Sequence, residues 1–257
     1  MKKEIKKEIN EKYRFNEGRH LHQLFTEGEW KNLTGCTTIL GIVAKPALIQ
    51  WSANVTAQYI LDNYVKGGDD LPEICKEAKV AHRKRKESAG EYGTKTHEEV
   101  EKYITQCISE FDGRPIDIET NGNKSIRNFV DWARKNKVKF LATEQNIYSE
   151  RLFIGGIVDF VCEIDGQVFV GDIKTAKSGI YPENFWQCAG YDIMMKDMKL
   201  EWAEKIKGYV ILNLKENGQF LEERSVSNGE NTKAFLACLD IYRIKERIKK
   251  QLKLKEL

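Results

Sequence analysis

No stretch of this 257-residue chain approaches the roughly 20 consecutive apolar residues that a membrane-spanning helix needs, so no such span is expected. No CxxC pair occurs either. The six cysteines, Cys36, Cys75, Cys107, Cys162, Cys188 and Cys238, stand far apart. That spacing argues against a zinc knuckle or a local iron–sulfur signature and leaves free, reduced and mostly packed thiols as the expectation. A strong charge of one sign is also missing: 42 basic against 39 acidic residues give +3, which neither demands nor forbids a polyanionic partner. The opening Met1 to Lys12 is a lysine/glutamate run without an apolar core, unlike a secretory signal, and a cytoplasmic location is expected. Internal repeats and low-complexity segments are lacking.

What is present is the composition of an ordinary globular protein, 41% hydrophobic and 32% charged, long enough for one large domain or for a catalytic domain with a smaller appended part. Residues 1–12 predict a charged helix, and Tyr13 to Cys36 predict short strand-like pieces punctuated by Gly18, Gly28 and Gly35. Pro46 opens a helix whose Leu48, Trp51, Val55 and Tyr59 recur at helical spacing, predicting a packed face with Trp51 in it. A helix from Pro72 carries the basic string Lys76 to Lys86 and is expected to break at Gly90 and Gly93. The next is expected to start on a capping box of Thr96 and Glu99, with Val100, Ile104, Cys107, Ile108 and Phe111 as its apolar stripe. A short helix bearing Phe129, Val130 and Trp132 precedes three predicted strands, Lys139–Tyr148, Leu152–Ile164 and Gln167–Lys174. Then come a helix from Pro182 to about Met195, a hairpin around Asn217-Gly218 and a long amphipathic helix. That order predicts an α/β or α+β domain with a mixed central sheet flanked by helices.

Asp165-Gly166 is a dipeptide favoured in two-residue type I′ turns. Counting outward from such a turn pairs Ile164 with Gln167 and, further along, Asp159 with Asp172, on one face and with Cβ atoms about 4.5–5.5 Å apart. Lys174 projects from the same face. Like charges facing each other across a ladder repel, so either a shared proton or a divalent cation is required. A hard cation such as Mg²⁺ or Mn²⁺ also accounts for the lysine, which could orient or deprotonate an attacking water or stabilise charge building on a phosphorane. The plain alternative is a surface hairpin with an exposed ion pair.

Four short motifs follow one another along the chain: Gly93-Thr94-Lys95-Thr96-His97, Gly156-Ile157-Val158-Asp159, Asp172-Ile173-Lys174 and Gln187-Cys188-Ala189-Gly190-Tyr191. In type, spacing and order they resemble the GxxxH, GxxD, DxK and QxxxY motifs of the PD-(D/E)XK nuclease superfamily, in its RecB-like branch with the phage-type exonucleases. The resemblance covers about residues 90 to 215, and Thr34–Trp51 also looks like the N-terminal part of phage members. Val158 replaces the proline of the superfamily's name, which this branch tolerates.

The resemblance implies a restriction-endonuclease-like core over residues 90–257, preceded by a helical, strand-guiding part over 1–89. It implies that Asp159, Asp172, His97 and the Ile173 carbonyl hold one or two Mg²⁺ or Mn²⁺ ions and that Lys174 is the catalytic lysine. Gln187 and Tyr191 would position the lysine or the scissile strand, and Glu144 corresponds to an acidic residue of the first strand. No iron–sulfur cluster is expected, because the cysteine cluster of cluster-bearing members is missing. The implied activity is metal-dependent exonucleolytic hydrolysis of DNA with a free end, in recombination or repair, with a phage-encoded protein working in a host cytoplasm as one setting. An endonuclease of the same superfamily and a non-catalytic nucleic-acid-binding protein that keeps the fold are the alternatives.

Simpler roles stand beside these. His97 lies on the packed side of its helix and would serve equally as a core or capping histidine. Gln187 and Tyr191, at i,i+4, would serve as a buried polar pair. Arg83, Lys84, Arg85 and Lys86 are placed to contact phosphates without reading sequence, or form a solvated helix face. Trp30, Trp51 and Tyr59 are candidates for stacking on bases.

Overall fold

Two sheets organise the chain, and the computed structural model describes residues 6–10, 12–16, 18–64, 70–226 and 229–252. The first sheet is antiparallel in chain order: β1 (Lys6–Asn10), β2 (Tyr13–Asn16), β3 (Leu21–Thr26) and β4 (Glu29–Asn32). Then follow β5 (Thr34–Gly35), α1 (Cys36–Leu40), α2 (Pro46–Asn63), α3 (Leu71–Phe111), α4 (Lys124–Lys135), β6 (Lys139–Ser149), β7 (Ile154–Ile164) and β8 (Gln167–Lys174). The chain closes with α5 (Pro182–Asp197), β9 (Ile206–Leu214), β10 (Phe220–Val226) and α6 (Gly229–Leu252).

The second sheet is mixed, six-stranded and packed with helices, as the alternation of helix and strand predicts. Its order is β10-β9-β8-β7-β5, with β6 on the other edge of β7. β8 runs parallel to β9 and β5 parallel to β7, the other pairs being antiparallel. Strand residues alternate between two cores. Tyr209 and Ile211 join Cys188, Met194 and Phe235 under α1, α5 and α6. Val210 and Leu212 join Val100, Ile104, Phe129 and Trp132 under α3 and α4. Burying both faces of the sheet in this way makes a three-layer α/β body, and its strands read as near-continuous apolar runs.

The Asp165-Gly166 reversal forms with both residues at positive φ, 51° and 75°, as a type I′ turn requires. The ladder runs from Ile164↔Gln167 to Phe160↔Gly171. On the opposite edge of β7, β6 pairs from Ile154 to Glu163. The β8 edge is shared, because β5 takes Ile154 and Gly155 and β8 begins only at Phe160. Among the described residues no strand pairs with that edge from Gly156 to Asp159, and this opening in the sheet is where the site lies.

Several expectations are corrected. Lys6–Asn10 is a strand, not a charged helix, because its partner β2 supplies a ladder that the lysine/glutamate run does not advertise; the rest of that run apart from Lys12 lies outside the described residues. Gly90 and Gly93 do not break a helix: α3 is continuous over 41 residues, since a helical glycine costs only about 1 kcal/mol and packing at both ends outweighs it. Thr96 and Glu99 therefore form no capping box. The Thr96 hydroxyl donates back to the Tyr92 carbonyl at 2.9 Å, and Glu99 accepts from Asn123 Nδ2 at 2.5 Å. Trp51 is outside the core, 37% exposed, and of its predicted stripe only Val55 is buried. Residues 89 and 90 both lie within α3, and Cys36, Ile39 and Leu40 pack into the main core. All six cysteines are free and five of them are buried. No helix among the described residues is long and apolar enough to cross a membrane.

The small sheet docks through Tyr13, whose ring stacks on Tyr148 with centroids 4.6 Å apart and whose hydroxyl lies 2.6 Å from His22 Nδ1. His22 is 5% exposed. Burial, helped by the neighbouring His20, holds its imidazole neutral down to a pKa of about 4. A histidine whose folded pKa is depressed binds its proton more readily in the unfolded chain, so stability falls as pH drops from about 6.5 towards 4. The expected contribution is on the order of 3 kcal/mol across that window. His22→Gln keeps a hydrogen-bonding partner for Tyr13 but cannot titrate. Thermal or urea unfolding of both proteins at pH 7 and pH 4.5 is therefore expected to show a smaller acid loss in the variant, and equal losses would refute the assignment.

Candidate metal centre and active site

Asp159 stands where the β7–β8 ladder stops. The next backbone donor of β8, the Ile173 N–H, turns to the Asp159 carboxylate, reaching Oδ2 at 2.6 Å. The carboxylate thus takes the place of a strand partner and props the two strands apart. Its other oxygen, Oδ1, lies 3.7 Å from His97 Nδ1. His97 is carried by α3 one turn beyond Gly93, where a Cβ would approach Thr175 Oγ1 to 3.0 Å. Glycine at that position lets the helix close on the segment just after Lys174, and this sets His97 at the opening in the sheet.

Glu144 completes the group. It sits in β6 between Thr143↔Phe160 and Gln145↔Val158, which places it level with Asp159 on the adjoining strand. Its φ is +43°, a left-handed conformation costing an ordinary residue about 1–2 kcal/mol. The register of β6 shifts just upstream, between Phe140 and Ala142, and such irregularities re-aim side chains next to functional sites. His97, Glu144 and Asp159, all half-buried, offer ligand atoms that lie within 4.8 Å of one another, so the group could hold a metal ion. Two carboxylates and an imidazole are a donor set of the hard, mixed O/N type that suits Mn²⁺ and, with added water, Mg²⁺.

Asp172 stands outside that group. It is 1% exposed, its Oδ2 lies 2.6 Å from the Lys174 ammonium, and its Oδ1 accepts from Gln187 Nε2 at 3.1 Å. Burial raises the Asp172 carboxyl pKa to about 6; Lys174 opposes this and Asp159 adds to it. Burial alone would lower the Lys174 ammonium, but the carboxylates of Asp172 and Asp159 outweigh it and leave its pKa above the ordinary lysine value. Lys174, its side chain 27% exposed, is a fixed cation at the edge of the site. Gln187 ties the cluster together: Oε1 accepts from Lys174 at 3.4 Å, and Nε2 also donates to the Tyr191 hydroxyl at 2.7 Å. The Tyr191 ring fits because residue 156 is glycine; a Cβ there would lie 2.8 Å from Tyr191 Cε1.

No family model matches this chain, and no curated protein does. The four motifs nevertheless meet in space, with His97 at Asp159, and Gln187 between Asp172, Lys174 and Tyr191. Ile173 lies between the two clusters and engages Asp159 through its N–H. Gln187 and Tyr191 are buried, at 9% and 4%, and so reach neighbouring side chains rather than solvent. Arg83, Lys84, Arg85 and Lys86 are exposed on α3, away from the acidic cluster, and Lys84 pairs with Glu77 at 3.1 Å. Trp30 carries the Arg14 guanidinium 4.1 Å above its ring.

One neighbour of the site is not foreseen from the sequence. Asn213, opposite Lys174 in the parallel β8–β9 ladder, is fully buried, and its amide donates to the Ala176 and Ser178 carbonyls at 3.1 and 2.8 Å. It pins the segment that leaves Lys174 towards α5. The available signal is an asparagine inside the otherwise apolar run Tyr209–Leu214.

Proposed function

We propose that this protein is a divalent-metal-dependent DNA nuclease of the PD-(D/E)XK type, in the RecB-like branch, and that it works as an exonuclease on DNA with a free end. The observation that carries this is the meeting of the four sequence-distant motifs around one opening in the sheet, with a His97–Glu144–Asp159 group beside the Asp172–Lys174 pair.

His97, Glu144 and Asp159 would hold the ion, with Asp172 close enough to feel the charge of Asp159 and to join when its own pairing loosens. Bound there, Mg²⁺ or Mn²⁺ supplies Lewis-acid polarisation of a phosphate oxygen and a more acidic water. Lys174, held protonated by the neighbouring carboxylates, would stabilise negative charge building on a phosphorane, and a preorganised charge of this kind is usually the strongest single contribution to catalysis. Gln187 fixes the lysine by accepting from it, and Tyr191 fixes Gln187. Glu144 is held at a strained backbone angle, a cost that a ligand role explains. The exonuclease preference and a place in recombination or repair rest on the motif resemblance.

End-labelled linear DNA and a closed circle of the same sequence, incubated with Mn²⁺, test this. The linear substrate is expected to be degraded and the circle spared. Cleavage of circles would make the protein an endonuclease of the same type. Binding without cleavage of either, across metals and pH, would leave a non-catalytic nucleic-acid-binding protein.

A further inference from the structure

Between the part of α3 that packs on α2 and the part that enters the core lies a bare length of helix. Ala78 and Ala81 are buried beside α2, and Thr96 and Val100 are buried in the body. Every residue from Arg83 to Glu91 between them is exposed. A helix that is polar and solvated all round serves as a bridge between packed parts. This one carries four consecutive cations, Arg83 to Lys86, and each successive residue turns about 100° around the axis, so that they ring the bridge. They stand about 16–21 Å along the helix from His97.

Across from the bridge, α2 is unlike an ordinary surface helix. Its 18 residues carry one charge, Asp62, yet Leu48, Ile49, Trp51 and Leu61 are exposed by 56%, 76%, 37% and 73%. α2 and α3 pack together and are joined by a short connection, so they run antiparallel. Counting back equally from Asn63 and Leu71 sets Trp51 level with Arg83. Exposed apolar residues of α2 and cations of α3 therefore share the arm at about the same height.

A duplex offers such an arm only phosphates, because its base faces are stacked inside, and an uncharged helix set against them would lose water without gaining a partner. A single strand offers both chemistries in every nucleotide, an anion and a flat apolar base, and proteins hold it with a basic track beside an aromatic platform. We propose that the α2–α3 arm is a single-strand guide: Arg83, Lys84, Arg85 and Lys86 hold the backbone, Trp51 with Leu48 stacks bases, and the nucleic acid delivered to His97 is single-stranded along the arm. This rests on the nuclease proposal for the chemistry at the base of the arm, but not for the binding itself.

The test is fluorescence anisotropy with a labelled single strand of mixed sequence and the corresponding blunt duplex, in EDTA so that no cleavage intervenes. The single strand is expected to bind at least about tenfold tighter than the duplex. Trp51→Ala is expected to weaken single-strand binding about tenfold with the salt dependence intact. Arg83→Ala with Arg85→Ala is expected to flatten that salt dependence by about 0.7 per charge removed. These residues are exposed, and circular dichroism checks that the variants are folded. Equal or tighter duplex binding, or single-strand binding untouched by Trp51→Ala, overturns the guide. So does self-association abolished by Leu48→Ser with Ile49→Ser, which would show a second copy covering the face. Cleavage with Mn²⁺ is scored separately, so tight single-strand binding without cleavage sinks the nuclease alone, and cleavage with no single-strand preference sinks the guide alone.

Discussion

Asp159→Asn is expected to abolish the stabilisation that Mn²⁺ gives the unaltered protein and to slow DNA cleavage by about a thousandfold or more, the rate equivalent of the several kcal/mol that metal catalysis supplies. Asp159 belongs both to the group that could hold a metal ion and to the strand segment left open in the sheet. Asparagine keeps an oxygen to accept the Ile173 N–H, so the strands should remain propped apart and the fold intact. What disappears is the negative charge beside His97 and Glu144. A ligand that binds only the folded state raises stability by about 2.7 kcal/mol at a hundred times its Kd. That corresponds to a rise of roughly 5–10 °C in Tm for a chain of this size. Differential scanning fluorimetry with and without Mn²⁺ reads the shift directly. An Asp159→Asn protein that still gains the full shift would place the ion elsewhere.

Lys174→Met is expected to do the reverse, keeping the Mn²⁺ shift while cleavage falls about 10²–10³-fold, as when one preorganised charge stabiliser is removed. The substitution also strands the buried Asp172 carboxylate, whose pKa burial has already raised to about 6. A carboxyl group raised in the folded state destabilises the protein when ionised, so the penalty is absent below about pH 4 and grows as pH rises through 6 and beyond. Lys174→Met should therefore be less stable than the parent at pH 8, with the gap closing towards pH 5. Adding Asp172→Asn removes the stranded charge, and the double variant is expected to recover stability without recovering activity. If the double variant cleaves DNA normally, neither residue belongs to the chemistry.

The fold is legible wherever local sequence decides the outcome. The Asp165-Gly166 turn fixes its own register, and the apolar strands from Lys139 onward lie close to their expected limits. The N-terminal sheet is not legible in this way, because β1, Lys-Lys-Glu-Ile-Asn within a lysine/glutamate-rich stretch, takes its strand character from pairing with β2. α3 reads as two helices because the cost of a helical glycine is visible in sequence, whereas the close approach of Thr175 that calls for Gly93 is not.

The site shows the same limit at finer scale. Counting from the turn sets Asp159 opposite Asp172, and the ladder holds that register up to Phe160↔Gly171. It then lapses one step early, since the Asp159 carboxylate takes the Ile173 N–H for itself. The carboxylate that stands with Asp159 is Glu144 on β6, aimed by a positive φ and a nearby register shift that no periodicity betrays. Asp172 is drawn instead to Lys174 and Gln187. Charge alone calls for something positive near these carboxylates, but their distribution over two clusters depends on the third strand, which pairwise counting does not include.

The most direct measurement is the position of a bound ion. Crystals grown with Mn²⁺ and measured at a wavelength where manganese scatters anomalously are expected to show a peak bonded to His97, Glu144 and Asp159. A peak lodged elsewhere, or none at all in crystals of protein that cleaves DNA with Mn²⁺, would contradict a metal centre built on these three residues.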